Sequence, residues 1–162
     1  MIPMPPRGVI VALAVMAIVL TVATPSMTEL AANNQVVGAK TAFASAVALA
    51  RTEAARRGQT VMVVAEAGGG SDNEFGKGWS LYVDADGSGA VNNGDVLLRK
   101  FEALSDRVHL HGNSQLGFQP TGYLVGGATV DYTICRASGS TNGFKVSVTP
   151  SGIADVAAIT SW

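Results

Sequence analysis

Between Gly8 and Thr28 the chain carries no charged side chain, and Val9 to Ala23 is almost wholly Val, Ala, Ile, Leu and Met. A block like this has three structural outlets. A helix of about 20 apolar residues crosses a bilayer core, and Gly8–Thr28 has that length. A cleaved signal shows a basic start, a shorter apolar run and small residues at the cut, which Arg7 and Leu30-Ala31-Ala32 match loosely. A buried core helix is the third outlet, but a run apolar on every side is out of scale with so small a domain. The block accounts for much of a hydrophobic fraction of 48% against 14% charged residues. The rest is ordinary, polar and Gly-rich, with room for one domain and an appendage.

The next thirty residues favour the membrane-anchored reading. From Glu29 to Arg57, Val36, Ala39, Phe43, Val47, Ala50 and Ala54 recur at helical spacings of three and four. Asn33, Asn34, Lys40, Ser45, Arg51 and Glu53 fall between them. Arg56 and Arg57 sit where a helix C-terminus favours cations, Gly58 suits a left-handed cap, and Glu53–Arg57 makes an i,i+4 pair. The expectation is one helix, apolar all round and then amphipathic, roughly 70 Å long at about 1.5 Å per residue. Pro25 removes a backbone donor and is expected to kink it.

After Gly58 the period changes from 3.6 to 2. Strands are expected at Thr60–Glu66, Trp79–Asp84, Val96–Glu102, Val108–His111, Gln115–Phe118, Thr129–Arg136, Phe144–Thr149 and Ile153–Ile159. Turn signals separate them: Gly68–Gly78, Pro120-Thr121-Gly122, Asn142-Gly143 and Pro150-Ser151-Gly152. Six to eight strands after one amphipathic helix, with no βαβ alternation, predict an α+β fold. An antiparallel sheet domain would pack on the second half of the helix, with Phe43, Val47 and Ala50 supplying the helix side of the core. The expected organisation is an N-terminal segment and transmembrane half-helix at 1–28, an amphipathic half-helix at 29–58 and a β-rich domain at 59–162. Arg7 places the amino terminus in the cytoplasm under the positive-inside rule, and the β domain across the membrane.

Several function classes find no support. The net charge is −1 and the cations are scattered, so no nucleic-acid footprint is present. No Gly-x-Ser-x-Gly elbow occurs, and Gly68–Gly70 lacks the Lys-Ser/Thr of a phosphate loop. No catalytic residue is assigned. The single cysteine, Cys135, forms no intrachain disulfide and no zinc site alone. The strongest ligand-like pattern is Asp84 to Asp95. Asp84, Asp86, Ser88, the Ala90 carbonyl, Asn92 and Asp95 fall at positions 1, 3, 5, 7, 9 and 12 of an EF-hand-type calcium loop, with Gly89 sixth. Its flanks read as strands, not helices, and Asp and Gly form turns with or without metal. The sequence is compatible with both a Ca²⁺ loop and a metal-free hairpin turn. His109 and His111 point the same way along one strand with no third ligand at a helpful spacing, and read as a surface sheet edge. Trp79, Tyr82 and Phe118 read as core or half-buried sheet residues.

Four stretches, in order, resemble the GspH/FimT family of minor pseudopilins and type IV pilin-like proteins. LAVMAIVLTVATPSMTELAANNQV, Leu13 to Val36, is similar to the family's membrane helix with its proline and following Asn-Asn. FASAVALARTEAARRGQTVMV, Phe43 to Val63, is similar to the second half of that helix and the first strand. KGWSLYVDADGSGAVNNGDVLLR, Lys77 to Arg99, resembles its strand, Asp/Asn/Gly-rich turn and strand. FQPTGYLVGGATVDYTIC, Phe118 to Cys135, resembles its Phe-x-Pro-x-Gly turn and Gly-Gly element.

The resemblance implies a structural subunit of a type IV pilus or a type II secretion pseudopilus, acting in filament assembly or priming. Its partners would be other pilins or pseudopilins, met through the N-terminal helix, where Ala12, Ala14, Ala17 and Ala23 allow close approach. It would sit in the bacterial inner membrane with its β domain in the periplasm. Three departures from the family pattern stand out. Members are cut by a prepilin peptidase after a Gly, with a Glu five residues beyond. Counting back from Pro25 puts that Glu at Gly8 and the cut before Met4, where neither residue is present; a shifted cut at Gly8 puts Leu13 in the Glu position. Members that bind DNA carry Gly-Arg-x-Arg in the last hairpin, and here the matching residues are Gly152, Ile153, Ala154 and Asp155. Both cations are gone, which removes phosphate contacts, so no DNA-binding residues are assigned. Some members pair a cysteine at the end of the first strand with a later one, but Ala65 stands there, leaving Cys135 as a small buried hydrophobe. Two further functions remain open beside the structural one: a tip module for DNA or another ligand, and a secreted calcium-binding β domain whose mature chain begins near Asn33.

Overall fold

A computed structural model of the chain describes residues 7–137 and 143–160, without the side chains of residue 7 and of residues 19–28. One helix, α1, runs Arg7–Arg57, and eight strands follow: β1 Thr60–Ala65, β2 Trp79–Asp84, β3 Val96–Phe101, β4 Val108–His111, β5 Gln115–Phe118, β6 Val130–Arg136, β7 Gly143–Val148 and β8 Ala154–Ile159. The helix is 51 residues long and ends as its sequence dictates. Gly58 takes φ 66° and its N–H donates to the Ala54 carbonyl at 3.0 Å. Glu53 accepts from both Arg56 and Arg57 at 2.7 Å.

The chain forms two compact units, one ending at Asn34 and one from Gln35 onward. In the first, Val9, Ile10, Val11, Leu13, Val15, Met16 and Ile18 are all exposed. Among the described residues no helix is long and apolar enough to cross a membrane. The side chains of 19–28, which complete the apolar block, lie outside those residues, and so does the bend expected at Pro25.

In the second unit the strands form two antiparallel four-stranded sheets, β3-β2-β1-β5 and β4-β6-β7-β8. The α+β architecture, with an antiparallel sheet domain packed on the second half of the helix, is the expected one, and its strands divide between two sheets. β1 lies between β2 and β5, whereas β4, which immediately precedes β5 in the chain, pairs with β6 in the other sheet. Strand bounds differ from expectation by a residue at some ends, so that Glu66, Glu102, Thr129, Thr149 and Ile153 fall outside. The expected Asn142-Gly143 hairpin turn lies partly outside the described residues, although β6 and β7, which it joins, pair as a hairpin would.

One core serves helix and sheets together. Val36, Ala39, Phe43, Ala46, Val47, Ala50 and Ala54 of α1 meet inward residues of both sheets. Its centre is aromatic: the Phe43 ring lies 5.3 Å from Phe75, 5.7 Å from Trp79 and 4.7 Å from Tyr132. Phe101 stacks on Trp79 with ring centroids 5.3 Å apart. Trp79 and Phe118 are buried and Tyr82 is half-buried, as the alternating pattern implies. The Trp79 Nε1 and Tyr132 hydroxyl are buried with no hydrogen-bond partner among the described residues.

Candidate functional site

The Asp84–Asp95 segment is the connection between β2 and β3, so its flanks are strands. Beside it the β2–β3 register slips: Leu81 faces Arg99 and Tyr82 faces Leu97, leaving Leu98 as the extra residue of a bulge. A bulge adds local twist and bends the strand that carries it. The turn folds on its own acidic side chains. Asp84, nearly fully buried, accepts the Ser88 and Gly89 N–H groups, each at 3.0 Å. Asp95 accepts Ala85 N–H at 3.0 Å and Asn92 N–H at 2.8 Å. Asp86 accepts Ser88 N–H at 3.0 Å and the Asn92 amide at 2.8 Å. The Ser88 hydroxyl, the Asn92 amide and the Ser88 N–H hold the Asp86 pKa down at about 2.

Oxygens of Asp84, Asp86 and Asp95 all lie within 4.8 Å of one another. The Asn92 Nδ2 also donates to Ser88 Oγ at 3.1 Å and, more weakly, to the Ala90 carbonyl at 3.4 Å. The Asn92 side-chain amide thus ties together oxygens of Asp86, Ser88 and Ala90, while Asn92 Oδ1 accepts from Gly94 N–H at 2.8 Å. Turning that amide over would present Oδ1 instead, giving an all-oxygen donor set of the kind that hard cations prefer. The sequence-predicted residues are therefore brought together.

His109 and His111 lie on β4, which is an edge strand as expected. The structure adds what the spacing could not supply. His111 Nδ1 is 2.9 Å from Glu74 Oε2 and 3.9 Å from Asp72, both in the Gly-rich loop before β2. Burial works against the Glu74 charge, but hydrogen bonds from its own N–H, the Gly112 N–H and His111 outweigh it and hold its pKa below the usual range. Asn73 Oδ1 accepts Leu110 N–H at 2.9 Å and Phe75 N–H donates to the Leu110 carbonyl at 3.2 Å. The loop thereby imitates a strand along β4. The only sequence signal for it is the Asp72-Asn73-Glu74 run among glycines, which names no partner.

Gly152 and Ile153 form the turn into β8, where Ala154 and Asp155 begin the strand. Arg51 of α1 reaches this region, donating from Nε to the Gly122 carbonyl at 3.3 Å. Cys135 is a free, buried thiol whose pKa burial raises, so it behaves as a small hydrophobe. Gly8 lies in the first turns of α1 with its Cβ direction open.

Against known proteins, the family model described as type II transport protein GspH matches residues 39–152. The type IV minor pilin FimU of Pseudomonas aeruginosa, strain PAO1, has a similar structure: TM-score 0.66 and 22% identity, covering 80% of this chain and 96% of that one. FimU in a second crystal form gives 0.58 and 22%, covering 72% and 91%. The minor pseudopilin EpsH from the type 2 secretion system of Vibrio cholerae gives 0.56 and 12%, covering 76% and 97%. No curated protein sequence matches the chain. At such identities the structural likeness establishes a common fold.

Proposed function

The chain belongs to the GspH family, a family of structural subunits and not of enzymes, and from that premise we propose that it is a minor subunit of a type IV pilus or a type II secretion pseudopilus. The observation that carries this reading is the exposed apolar surface from Val9 to Ile18, on a helix that continues into a folded domain. Apolar side chains in such a row need a cover other than water. In this reading lipid of the inner membrane covers them first, and the helices of neighbouring subunits cover them in the filament. The β domain stays in the periplasm, and the subunit acts in assembly or priming. The test is a deletion strain scored together for piliation and protein secretion, then complemented with the full chain or with a chain lacking residues 8–28. Loss of filament function restored only by the full chain supports the proposal. Wild-type filaments in the deletion strain, or rescue by the truncated chain, overturn it.

A second reading concerns the β2–β3 turn. Convergence of Asp84, Asp86 and Asp95 favours a weak calcium site completed by Ser88, Asn92 and the Ala90 carbonyl. Calorimetric titration to millimolar calcium should give heat that is abolished in Asp84→Ala. Absence of heat in the unaltered protein leaves a metal-free turn.

A further inference from the structure

The β2–β3 turn holds two adjacent asparagines in different surroundings. Asn92 is tied down: its Nδ2 donates to Asp86 and Ser88, and its Oδ1 accepts the Gly94 N–H at 2.8 Å. Asn93 is exposed, and its side chain has no hydrogen bond among the described residues. It is also followed by a glycine. The chain repeats that pairing only at Asn142-Gly143, whose asparagine lies outside the described residues. Asn33, Asn34, Asn73, Asn92 and Asn113 are followed by Asn, Gln, Glu, Asn and Ser.

An asparagine carries an electrophilic side-chain carbon, Cγ, close to the main-chain nitrogen of the next residue. What keeps the two apart is largely the side chain of that next residue, and glycine has none. The Gly94 nitrogen, on losing its proton to solvent base, can bond to Asn93 Cγ. The Cγ–Nδ2 bond then breaks and ammonia leaves, taking a proton from water. Water opens the resulting cyclic imide at either carbonyl, giving aspartate or isoaspartate, and no oxidant, reductant or cofactor enters. In the closed turn this nucleophile is restrained. The Asn92 carbonyl accepts Asp95 N–H at 3.2 Å, so Asn93 and Gly94 are the central residues of a β-turn. Asn92 Oδ1 holds the Gly94 N–H, which opposes both loss of the proton and rotation toward Cγ. These bonds lie among exposed residues, and such turns open at low free-energy cost.

We propose that Asn93 is a site of covalent modification: it deamidates by ring closure with Gly94, at a rate that Asn92 holds down by binding the Gly94 N–H. The product changes the turn. Aspartate adds a carboxylate to a segment that already gathers those of Asp84, Asp86 and Asp95. Isoaspartate routes the main chain through the former side chain and inserts an extra backbone carbon between residues 93 and 94. The Asp95 carboxylate accepts Asn92 N–H at 2.8 Å and Ala85 N–H at 3.0 Å, and the lengthened chain no longer brings it to both. The turn then loses the contact that closes it onto the end of β2. The inference holds with or without calcium in the turn, and it is independent of the filament in which the subunit serves.

The test ages the full chain in detergent micelles and calcium-free, mildly alkaline buffer, beside a synthetic peptide of residues Gly78–Arg99. Trypsin releases the same peptide from the protein, cutting after Lys77 and Arg99, and its asparagines are Asn92 and Asn93 alone. Fragmentation spectra locate the amide-to-acid mass gain, and digestion in heavy-oxygen water marks any conversion that occurs during digestion. The gain should fall on Asn93, more slowly in the folded chain than in the free peptide. Asn92→Ala should speed it about fivefold, the factor that one net hydrogen bond is worth. Gly94→Ala should suppress it, so the two variants move the rate in opposite directions although both alter the turn. A gain that appears first at Asn92 or Asn113 overturns the proposal. So does an unaltered rate in Asn92→Ala, an equal acceleration in both variants, or no gain at Asn93 while the free peptide converts.

Discussion

Phe43 is the side chain on which helix and sheets converge, and its removal has a predictable size. It is fully buried and its ring touches Phe75, Trp79 and Tyr132. Truncating a buried Phe to Ala costs about 3–5 kcal/mol through lost transfer energy and the cavity left behind. Three aromatic neighbours place this site in the upper half of that range, since such pairs add about 0.5–1.5 kcal/mol each beyond burial and overlap in part. Phe43→Ala should therefore destabilise the unit from Gln35 onward by about 4 kcal/mol, a large share of the roughly 5–15 kcal/mol typical of a domain. Phe144 provides the internal comparison. It is only half-buried under Lys40, whose Nζ lies 4.5 Å from its ring, and Phe144→Ala should cost about 1–2 kcal/mol. Urea unfolding followed by tryptophan fluorescence reads both, with the midpoint moving and the slope held. A loss below about 2 kcal/mol for Phe43→Ala, or equal losses for the two variants, would refute the shared core.

Particular contacts support three other predictions. Tyr132→Phe removes a buried hydroxyl without a described partner, so it should be neutral or stabilising by about 1 kcal/mol in the same urea experiment; a loss of that size would mean that the hydroxyl is satisfied. Gly152→Ala should cost more than about 2 kcal/mol, because φ is 76° and the new Cβ would lie 2.3 Å from the Gly122 carbonyl oxygen. Near-native thermal unfolding of that variant would contradict the tight approach of the two turns. On acidification, Glu66, held low by Lys100 and Ser80, and Asp131, held low by Lys145 and Ser147, both have depressed folded pKa values. Their contribution is full above the unfolded carboxylate range near pH 4 and is lost as pH falls through the folded values. The decline in melting temperature below pH 4 should be shallower in Glu66→Gln, and an identical acid profile would argue against the Lys100 pair.

Local features were legible in the sequence. The helix stop at Gly58 and the eight strands are written within a few residues of themselves, in cap chemistry, period and turn formers. The Asp84–Asp95 turn was equally readable, because its side chains bond to backbone a few positions away. Partner choice between distant strands was not readable. Nothing in Gln115–Phe118 says that it joins β1 while Val108–His111 joins β6, since alternation marks a strand but not its neighbour. The Glu74–His111 contact spans 37 positions and Arg51–Gly122 spans 71, beyond any local pattern.

Purified filaments offer the most direct test of the filament-subunit account. Sheared pili and isolated pseudopili from cells expressing the chain would be analysed by quantitative mass spectrometry, with peptides from β1 to β8 as reporters. Those peptides should co-purify with filaments at low, reproducible ratio to the main subunit, and should be lost from them when residues 8–28 are deleted. Filaments free of the chain, with the whole protein recovered in the aqueous periplasmic fraction, would contradict it.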